Sequence, residues 1–252
     1  MNVKIVKTEK HTFSRQAAQF LVALLASVQM LAHAAIVPDR TRVIYNDGVQ
    51  SVSVTITNKN AVMPYVVQTW IEDEKGVKIT TPFMVLPPLQ RVEPSDSNVL
   101  RIAKLPGDSL PKDRESVFYL NIREIPPKSD AVNSLQIALQ SKLKLFYRPQ
   151  GVQPKRGEDI GLRLNLQLDP ATKTVAIDNP TPFYVSMVGL LAGVEKAKLP
   201  MESVMISPMS KVEVAVKDVN FSKLYVSHIN DFGGQTDTEF ACSANICKGV
   251  QP

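Results

Sequence analysis

The stretch that most constrains the fold is "LQIALQSKLKLFYRP", which runs from Leu135 to Pro149. Its apolar side chains recur mainly at every second position, and this period of two predicts a β-strand with one apolar face. As one extended segment it would be roughly 45 Å long, two or three times the length of a usual strand. Such a strand is longer than the core of one small domain can cover. Part of it is therefore expected to serve another purpose.

The first residues predict an exported protein. Four basic residues precede the apolar run "FLVALLASVQMLA", and Ala32 and Ala34 place small side chains at the two positions that a signal peptidase recognises. The run is short for a membrane span. We therefore expect residues 1–34 to be a signal peptide that is cleaved after Ala34, with an uncleaved anchor as the alternative.

Cleavage would change the charge of the protein. Residues 1–34 carry four Lys or Arg and one Glu, so the net charge falls from +5 to +2 in the remaining 218 residues. The basic balance of the full chain therefore does not indicate a nucleic-acid partner. A chain of 218 residues is long enough for two domains of about 110 residues each.

The organisation of the chain favours an all-β protein. Short segments rich in strand-forming residues are separated by Pro, Gly, Asp and Asn about every ten residues, which is typical of β-sandwiches. The polar segment Arg148–Asp159 contains prolines and glycines and is expected to connect two domains, residues 35–150 and 151–252. We expect Trp70 to fill the core of the first domain.

Cysteines and histidines are few after residue 34. Cys242 and Cys247 are the only two cysteines, and in an exported protein their spacing predicts a disulfide that closes a local hairpin. A zinc site would need further ligands that are not nearby in the sequence. His228 is expected to be structural, with a pH switch or a catalytic role as alternatives.

The sequence lacks the common motifs of catalytic and nucleotide-binding sites. Neither G-x-S-x-G nor H-E-x-x-H occurs, and neither a P-loop nor G-x-G-x-x-G is present. We therefore expect a protein that is not an enzyme and that has no cofactor, no metal and no small-molecule substrate.

Five segments of the chain resemble the periplasmic pilus-assembly chaperones of the chaperone–usher pathway. They extend over nearly the whole chain after residue 34, and their order and spacing fit that family. The segments are "DRTR" (Asp39–Arg42), "LPKDRESVFYLNIREIPP" (Leu110–Pro127), "LQIALQSKLKLFYRP" (Leu135–Pro149), "NPTPFYV" (Asn179–Val185) and "INDFGG" (Ile229–Gly234).

The resemblance implies a fold and a function. The fold would consist of two immunoglobulin-like β-sandwich domains in a boomerang arrangement. The protein would act in the periplasm, where it would bind, fold and cap pilus subunits and deliver them to an outer-membrane usher. Pilus subunits resemble a sandwich that lacks its last strand. The chaperone would supply that strand from its own chain, by donor-strand complementation, which is a form of β-augmentation.

The resemblance also implies roles for residues of the long strand and its surroundings. Leu135, Ile137 and Leu139 share one face of the strand and would enter the groove of the subunit; the alternative is that they belong to the core of the chaperone itself. Arg42 and Lys144 match the two cations with which the family holds the C-terminal carboxylate of a subunit. Such a carboxylate requires charge-assisted hydrogen bonds.

Three further charges match a cluster between the domains of the family. Glu115, Arg148 and Asp231 would form it, because two carboxylates can satisfy the hydrogen-bond donors of one guanidinium. We interpret the cluster as structural, and three separate surface charges are the alternative.

Two other functions are compatible with an exported all-β chain. A pilus subunit or adhesin would have one incomplete sandwich and a free N-terminal donor segment, whereas here the alternating strand is internal. A secreted hydrolase would need a catalytic group that the sequence does not offer. Self-association of the free protein would cover an exposed apolar strand, and the sequence leaves open whether it occurs.

Overall fold

The structure is a computed structural model, and it describes residues 34–107, 109–129, 133 and 135–251. Apart from Ala34, the predicted signal peptide lies outside the described residues. Ala35 and the residues that follow it belong to one structural unit.

Ten strands form the first half of this unit. They are β1 (Ile36–Pro38), β2 (Arg42–Asn46), β3 (Ser51–Asn58), β4 (Tyr65–Glu72), β5 (Lys78–Ile79), β6 (Phe83–Leu86), β7 (Leu89–Val92), β8 (Ser97–Lys104), β9 (Ser116–Ile125) and β10 (Gln140–Arg148). One sheet has the order β1-β3-β8-β6 and the other the order β2-β10-β9-β4-β5, with β7 also paired to β4. β2 runs parallel to β10, whereas the other pairs are antiparallel.

The two sheets of the first half enclose one hydrophobic core. The period of two decides which residues enter it: in β3, Val54 and Ile56 are fully buried, while Thr55 between them is not. β9 contributes Leu120 and Ile122 from the other sheet. The first half is therefore a β-sandwich, as the strand patterns predict.

Trp70 is not part of this core, so the expectation that it fills the first domain is wrong. In β4 the side chains of Val67, Thr69 and Ile71 are buried, and Trp70 lies between them on the outer face. Its indole N–H donates a 2.7 Å hydrogen bond to Glu72. The alternation of β4 decides its side of the sheet, and aromatic size does not override it.

Nine strands form the second half. They are β11 (Asn165–Asp169), β12 (Thr174–Asn179), β13 (Val185–Ala192), β14 (Ala197–Lys198), β15 (Val204–Ile206), β16 (Ser210–Ala215), β17 (Lys223–Ile229), β18 (Gln235–Ser243) and β19 (Ile246–Gly249). Their hydrogen bonds join them in the order β14-β13-β17-β18-β19-β11-β12-β16, with β15 paired to β13, and all of these pairs are antiparallel. Their apolar faces form a second, separate core.

One short 3-10 helix, Ile160–Arg163, precedes β11. It is the only helix within the described ranges, which confirms the predicted all-β class. No described helix is long and apolar enough to cross a membrane. The strands of each half pair only with strands of the same half in the part of the chain that the structure describes. The predicted limits of the two domains, 35–150 and 151–252, stay predictions.

Candidate functional site

The outer and inner faces of β10 carry different chemistry. Leu143, Leu145 and Tyr147 point into the first core, because they occupy the odd-numbered positions of the strand. The even-numbered positions place Lys144 and Arg148 on the outer face, where both contact the second half. One strand thus anchors the first core on one side and the contact between the halves on the other.

The apolar row of β10 continues outside the core. Leu135, Ile137 and Leu139 have the same odd numbering as the core residues, but 87%, 65% and 40% of their surfaces are exposed. These three side chains therefore do not belong to the core of this chain, which was the alternative. Three large apolar side chains at alternating positions thus remain exposed, most of all Leu135 and Ile137.

Leu135–Leu139 does not form part of the regular strand, so the prediction of one strand from Leu135 to Pro149 is wrong in length. β10 begins at Gln140, and the last contact of Leu139 with β9 is a 3.0 Å hydrogen bond from the N–H of Glu124 to its carbonyl oxygen. β9 ends at Ile125 because Pro126 and Pro127 follow, and proline has no N–H to donate. Among the described residues, the segment therefore lacks a partner strand rather than strand-forming residues.

The second edge of β10 is only partly occupied. β2 pairs with it in parallel from Lys144 to Arg148, with Arg42 directly opposite Lys144. Within the described ranges, no strand pairs with this edge at Gln140–Leu143. An open edge of this kind exposes backbone N–H and carbonyl groups that can pair with an additional strand.

Arg42 and Lys144 lie side by side where this open edge begins. The guanidinium of Arg42 donates from Nη1 to the carbonyl oxygen of Ile229 at 2.8 Å, and the ammonium of Lys144 lies 2.9 Å from the hydroxyl of Ser186. Ser186 and Ile229 are themselves paired across β13 and β17. Two neighbouring cations of the first half thus meet two neighbouring residues of the second half.

The charges of Arg42 and Lys144 are poorly compensated. Burial lowers the pKa of Arg42, although Asp231 and Glu115 oppose this effect. Burial and, after it, the charge of Arg42 lower the pKa of Lys144. The Nε of Arg42 is buried without a hydrogen-bond partner, and among the described residues neither cation forms an ion pair. A partly buried pair of cations is a favourable place for an anion.

Lys142, two residues before Lys144 on the same face, differs from it. Its ammonium forms a 2.7 Å ion pair with Glu72 and lies 4.5 Å from the centre of the Tyr119 ring. This cation already has a carboxylate partner. Its outward position therefore does not make it a third anion-binding residue.

The structure brings Glu115, Arg148 and Asp231 together. Arg148 lies 2.7 Å from the carboxylate of Glu115 and 2.9 Å from that of Asp231. The second oxygen of Glu115 accepts a hydrogen bond from the backbone N–H of Tyr184 at 2.8 Å, and the guanidinium of Arg148 stacks 5.0 Å from the ring of Phe183. The cluster therefore joins the end of β10 to two separate loops of the second half.

Burial and charge act in opposite directions on the pKa values of Arg148 and Glu115. Burial opposes the charge of Arg148, but hydrogen bonds and attraction from Asp231 and Glu115 together raise its pKa. Burial raises the pKa of Glu115, and the positive charge of Arg148 acts in the opposite direction. Asp231 is the exposed member, because 42% of its side chain reaches the surface.

His228 is buried in a polar network away from the two cations. Its Nε2 lies 2.9 Å from Asp159 and 3.2 Å from the hydroxyl of Thr238, which donates to Asp159 at 2.6 Å. Asp159 also accepts the N–H of Gly161 and so caps the 3-10 helix. This network connects Asp159, at the end of the connector, to the second half, and the structural role of His228 stays a prediction.

The two cysteines form the predicted disulfide. Cys242 in β18 and Cys247 in β19 are directly paired, and the bond closes the hairpin between these strands. Within the described ranges, no group of three or more His, Cys, Asp or Glu side chains is arranged to hold a metal ion.

The chain is similar to known proteins over nearly all of its described residues. Residues 35–153 match the family described as "Pili and flagellar-assembly chaperone, PapD N-terminal domain", and residues 159–240 match "Pili assembly chaperone PapD, C-terminal domain". Both halves of the structure thus correspond to domains of one family of assembly proteins.

Individual relatives agree with these matches. Chaperone protein PapD of Escherichia coli is 42% identical over 219 residues, which cover 86% of this chain and 90% of the relative. The probable fimbrial chaperone YfcS of Escherichia coli strain K12 is 39% identical, with 92% of each chain covered. The crystal structure of the CupB2 chaperone of Pseudomonas aeruginosa is similar with a TM-score of 0.68 and 30% identity, covering 82% of this chain and 100% of that one.

Proposed function

Because this chain belongs to the family of pili assembly chaperones, we propose that it binds pilus subunits in the periplasm and completes their fold with its own strand. The chaperone would cap each subunit in this way and deliver it to an outer-membrane usher. We propose the division into a domain of residues 35–150 and a domain of residues 151–252 on the same basis. An enzymatic function is not favoured, because the family is one of chaperones.

The observation that carries this proposal is the exposed apolar row of Leu135, Ile137 and Leu139. The row lies on the same side of the chain as the core-facing residues of β10. It precedes Gln140, where the pairing of β10 with β9 begins. Burying each of these side chains in a subunit groove would contribute roughly 1.5–3 kcal/mol before the cost of ordering the segment. The backbone of the segment would gain the partner strand that it lacks in the free protein.

The free edge of β10 predicts the direction of the bound strand. β2 occupies this edge from Lys144 onward and runs parallel to β10. A subunit strand whose C-terminus lies at Arg42 and Lys144 and whose preceding residues lie beside Leu135–Leu143 also runs parallel to β10. The bound strand and β2 would therefore follow one another along the same edge.

Arg42 and Lys144 would bind the terminal carboxylate of the subunit. Neither cation forms an ion pair with a described residue, and a carboxylate would supply one at the point where β2 begins. Fixing one end of a strand sets its register, and the register decides which side chains face the groove. The anchor would thus determine how Leu135, Ile137 and Leu139 are matched to the subunit.

The competing function as a pilus subunit or adhesin has no specific support. The apolar row lies inside the chain, between β9 and β10, and both halves match chaperone domains. The hydrolase alternative likewise has no observation in its favour.

A double substitution tests the proposed donor segment. Leu135→Glu with Ile137→Glu should abolish capture of a pilus subunit, because two charges would have to enter an apolar groove. Both side chains are exposed in the free protein, so its urea unfolding midpoint should stay unchanged. Capture is measured by co-purification of the chaperone with a co-expressed subunit from periplasmic extracts.

The matched control places the same charges on the other face of the same segment. Gln136→Glu with Ala138→Glu changes the net charge equally but leaves the apolar row intact. This control should retain most of the subunit capture. Equal capture by both double variants, or equal loss, would contradict the proposed role of the row.

A further inference from the structure

A buried carboxylate at the far end of β9 takes no part in the site described above. Glu124 follows Leu120 and Ile122 on the inward face of the strand, and only 5% of its surface is exposed. An ionised carboxylate in such a position is costly unless it has a positive partner or several hydrogen-bond donors. An ionised Glu124 would therefore need such a positive partner or several donors.

One partner of Glu124 comes from the first strand of the fold. The backbone N–H of Ile36 donates a 2.8 Å hydrogen bond to Oε2 of Glu124. Ile36 begins β1 and pairs with Asn58 of β3, and the carbonyl oxygen of Ala35 accepts from the N–H of Lys59 at 2.7 Å. The backbone at Ala35 and Ile36 is therefore fixed between the two sheets.

Within the described ranges, this carboxylate has a hydrogen-bond donor but no cationic partner. None of the Lys, Arg or His side chains in the part of the chain that the structure describes forms an ion pair with Glu124. A single neutral N–H donor stabilises a buried negative charge less than a cation would.

The predicted processing of the chain would create a cation next to this carboxylate. Cleavage after Ala34 makes Ala35 the first residue, and its free α-amino group is positively charged at neutral pH. Standard bond lengths keep the nitrogen of Ala35 within about 3.7 Å of the nitrogen of Ile36. The latter nitrogen is already in contact with Glu124.

We propose that Glu124 is the binding site for the α-ammonium group that processing creates at Ala35. This inference rests on the cleavage predicted after Ala34 and does not depend on how subunits are bound. Before cleavage, residue 35 offers only a neutral peptide nitrogen to Glu124. Removal of the signal peptide thus supplies an ion pair that ties the first strand of one sheet to β9 of the other.

The proposal is tested with four proteins exported to the periplasm. One has the natural junction after Ala34, and one carries Gly-Ser inserted between Ala34 and Ala35, which moves the ammonium group by two residues. The other two combine each junction with Glu124→Gln, which keeps an acceptor for the N–H of Ile36 but removes the charge. Intact mass establishes the first residue of each protein, and urea unfolding gives its stability.

The two changes should not be additive. Starting from the natural junction, the Gly-Ser extension and Glu124→Gln should each raise the unfolding equilibrium constant at least fivefold. In the Glu124→Gln protein the same extension should change that constant less than twofold. Additive effects, or an extension without effect in the protein with Glu124, would overturn the proposal, as would a natural protein that does not begin at Ala35.

Two further variants control for misfolding of Glu124→Gln and for a general effect of charge. Glu124→Met fills a similar volume without needing a counter-charge, and it replaces Glu124→Gln if that variant does not fold; the extension should again have little effect in this background. Glu213→Gln removes an exposed carboxylate from β16. Its effect should be the same with either junction. A dependence of Glu213→Gln on the junction would show a general charge effect and contradict a specific site.

Discussion

Arg42 and Lys144 are both hydrogen-bonded to neutral groups of the second half. The carbonyl oxygen of Ile229 and the hydroxyl of Ser186 orient the two cations without neutralising them. A carboxylate that arrives between them would form charge-assisted hydrogen bonds at little cost in side-chain ordering. The first half of the molecule thus supplies the two positive charges, and the second half supplies the hydrogen-bond acceptors that orient them.

The chemistry of the bound chain end determines the effect that we expect from substituting Arg42. Arg42→Gln should weaken binding of a peptide that copies the C-terminal strand of a subunit by about 10- to 100-fold, because a hydrogen bond to a charged group contributes about 1.5–3 kcal/mol. The same peptide with a C-terminal amide should bind weakly to both proteins, with little difference between them. Isothermal titration calorimetry measures all four affinities. A loss of equal size with the amide would mean that Arg42 does not bind the carboxylate.

The lowered pKa of Lys144 predicts a pH dependence of the same binding. Burial, followed by the charge of Arg42, keeps this pKa below the usual 10.5 in the free protein, and a bound carboxylate would raise it again. Binding therefore favours the protonated amine, so affinity should fall as the pH rises from the free-state pKa to the bound-state pKa. Affinities measured across the alkaline range should show this decline in the natural protein and not in Lys144→Gln. A decline of equal size in that variant would contradict the assignment.

At the scale of elements, the 3-10 helix and its network fix the connector to the second sandwich. A side chain at Gly161 would place its Cβ 2.3 Å from the hydroxyl of Thr238 and 2.7 Å from Nε2 of His228. Asp159 holds both of these groups. There is consequently no space for even one methyl group between the helix and the sheet.

Gly161→Ala should therefore destabilise the protein by about 1–3 kcal/mol, the usual cost of overpacking a well-ordered site. Gly189→Ala is the matched control, because its Cβ would meet Ser227 at an ordinary contact distance of 3.5 Å. The control should cost less than about 1 kcal/mol, as measured by urea unfolding. Equal costs at both positions would show that the network does not restrict Gly161.

The elements also show what the sequence can predict. The alternation from Leu135 to Tyr147 correctly predicts a strand and its apolar face, but not where the strand begins. That boundary depends on Pro126, which ends the neighbouring strand β9. Because Pro126 lies outside the segment Leu135–Pro149, the pattern within that segment contains no information on it. Similarly, alternation within β4 was sufficient to place Trp70 outside, although its size suggested a core position.

Long-range contacts explain why the rest of the site was not predictable from residue patterns. Arg42 contacts the carbonyl oxygen of Ile229, a group that every residue carries, across 187 positions of the sequence. Ser186 has no motif that would connect it to Lys144. The positions of Arg42, Glu115 and Asp231 were predicted through family resemblance, since spacing alone contains no information on which charges meet.

At the scale of the whole molecule, Arg148 connects the two halves through its carboxylate partners. Glu115 lies in the first half and is almost fully buried, whereas Asp231 lies in the second half and is partly exposed. Loss of the shared guanidinium leaves the buried carboxylate without a counter-charge, which is more costly than the loss of an exposed partner.

Arg148→Ala should therefore destabilise the protein by about 3–5 kcal/mol, and Asp231→Asn by at most about 1 kcal/mol. Trp70, the single tryptophan, reports on the first half by fluorescence, while circular dichroism reports on both halves. In Arg148→Ala the two signals should follow different urea transitions. Coincident transitions together with a small loss of stability would contradict a coupling role for the cluster.

The start of β2 has a consequence for the range of chains that one such protein can serve. β2 begins at Arg42, opposite Lys144, so in the proposed complex the strand of a subunit that pairs with the open edge of β10 would have to end there. Subunit strands of different lengths would therefore all have their C-terminus at the same position. A difference in length between subunits would then be accommodated at the opposite end of the bound strand.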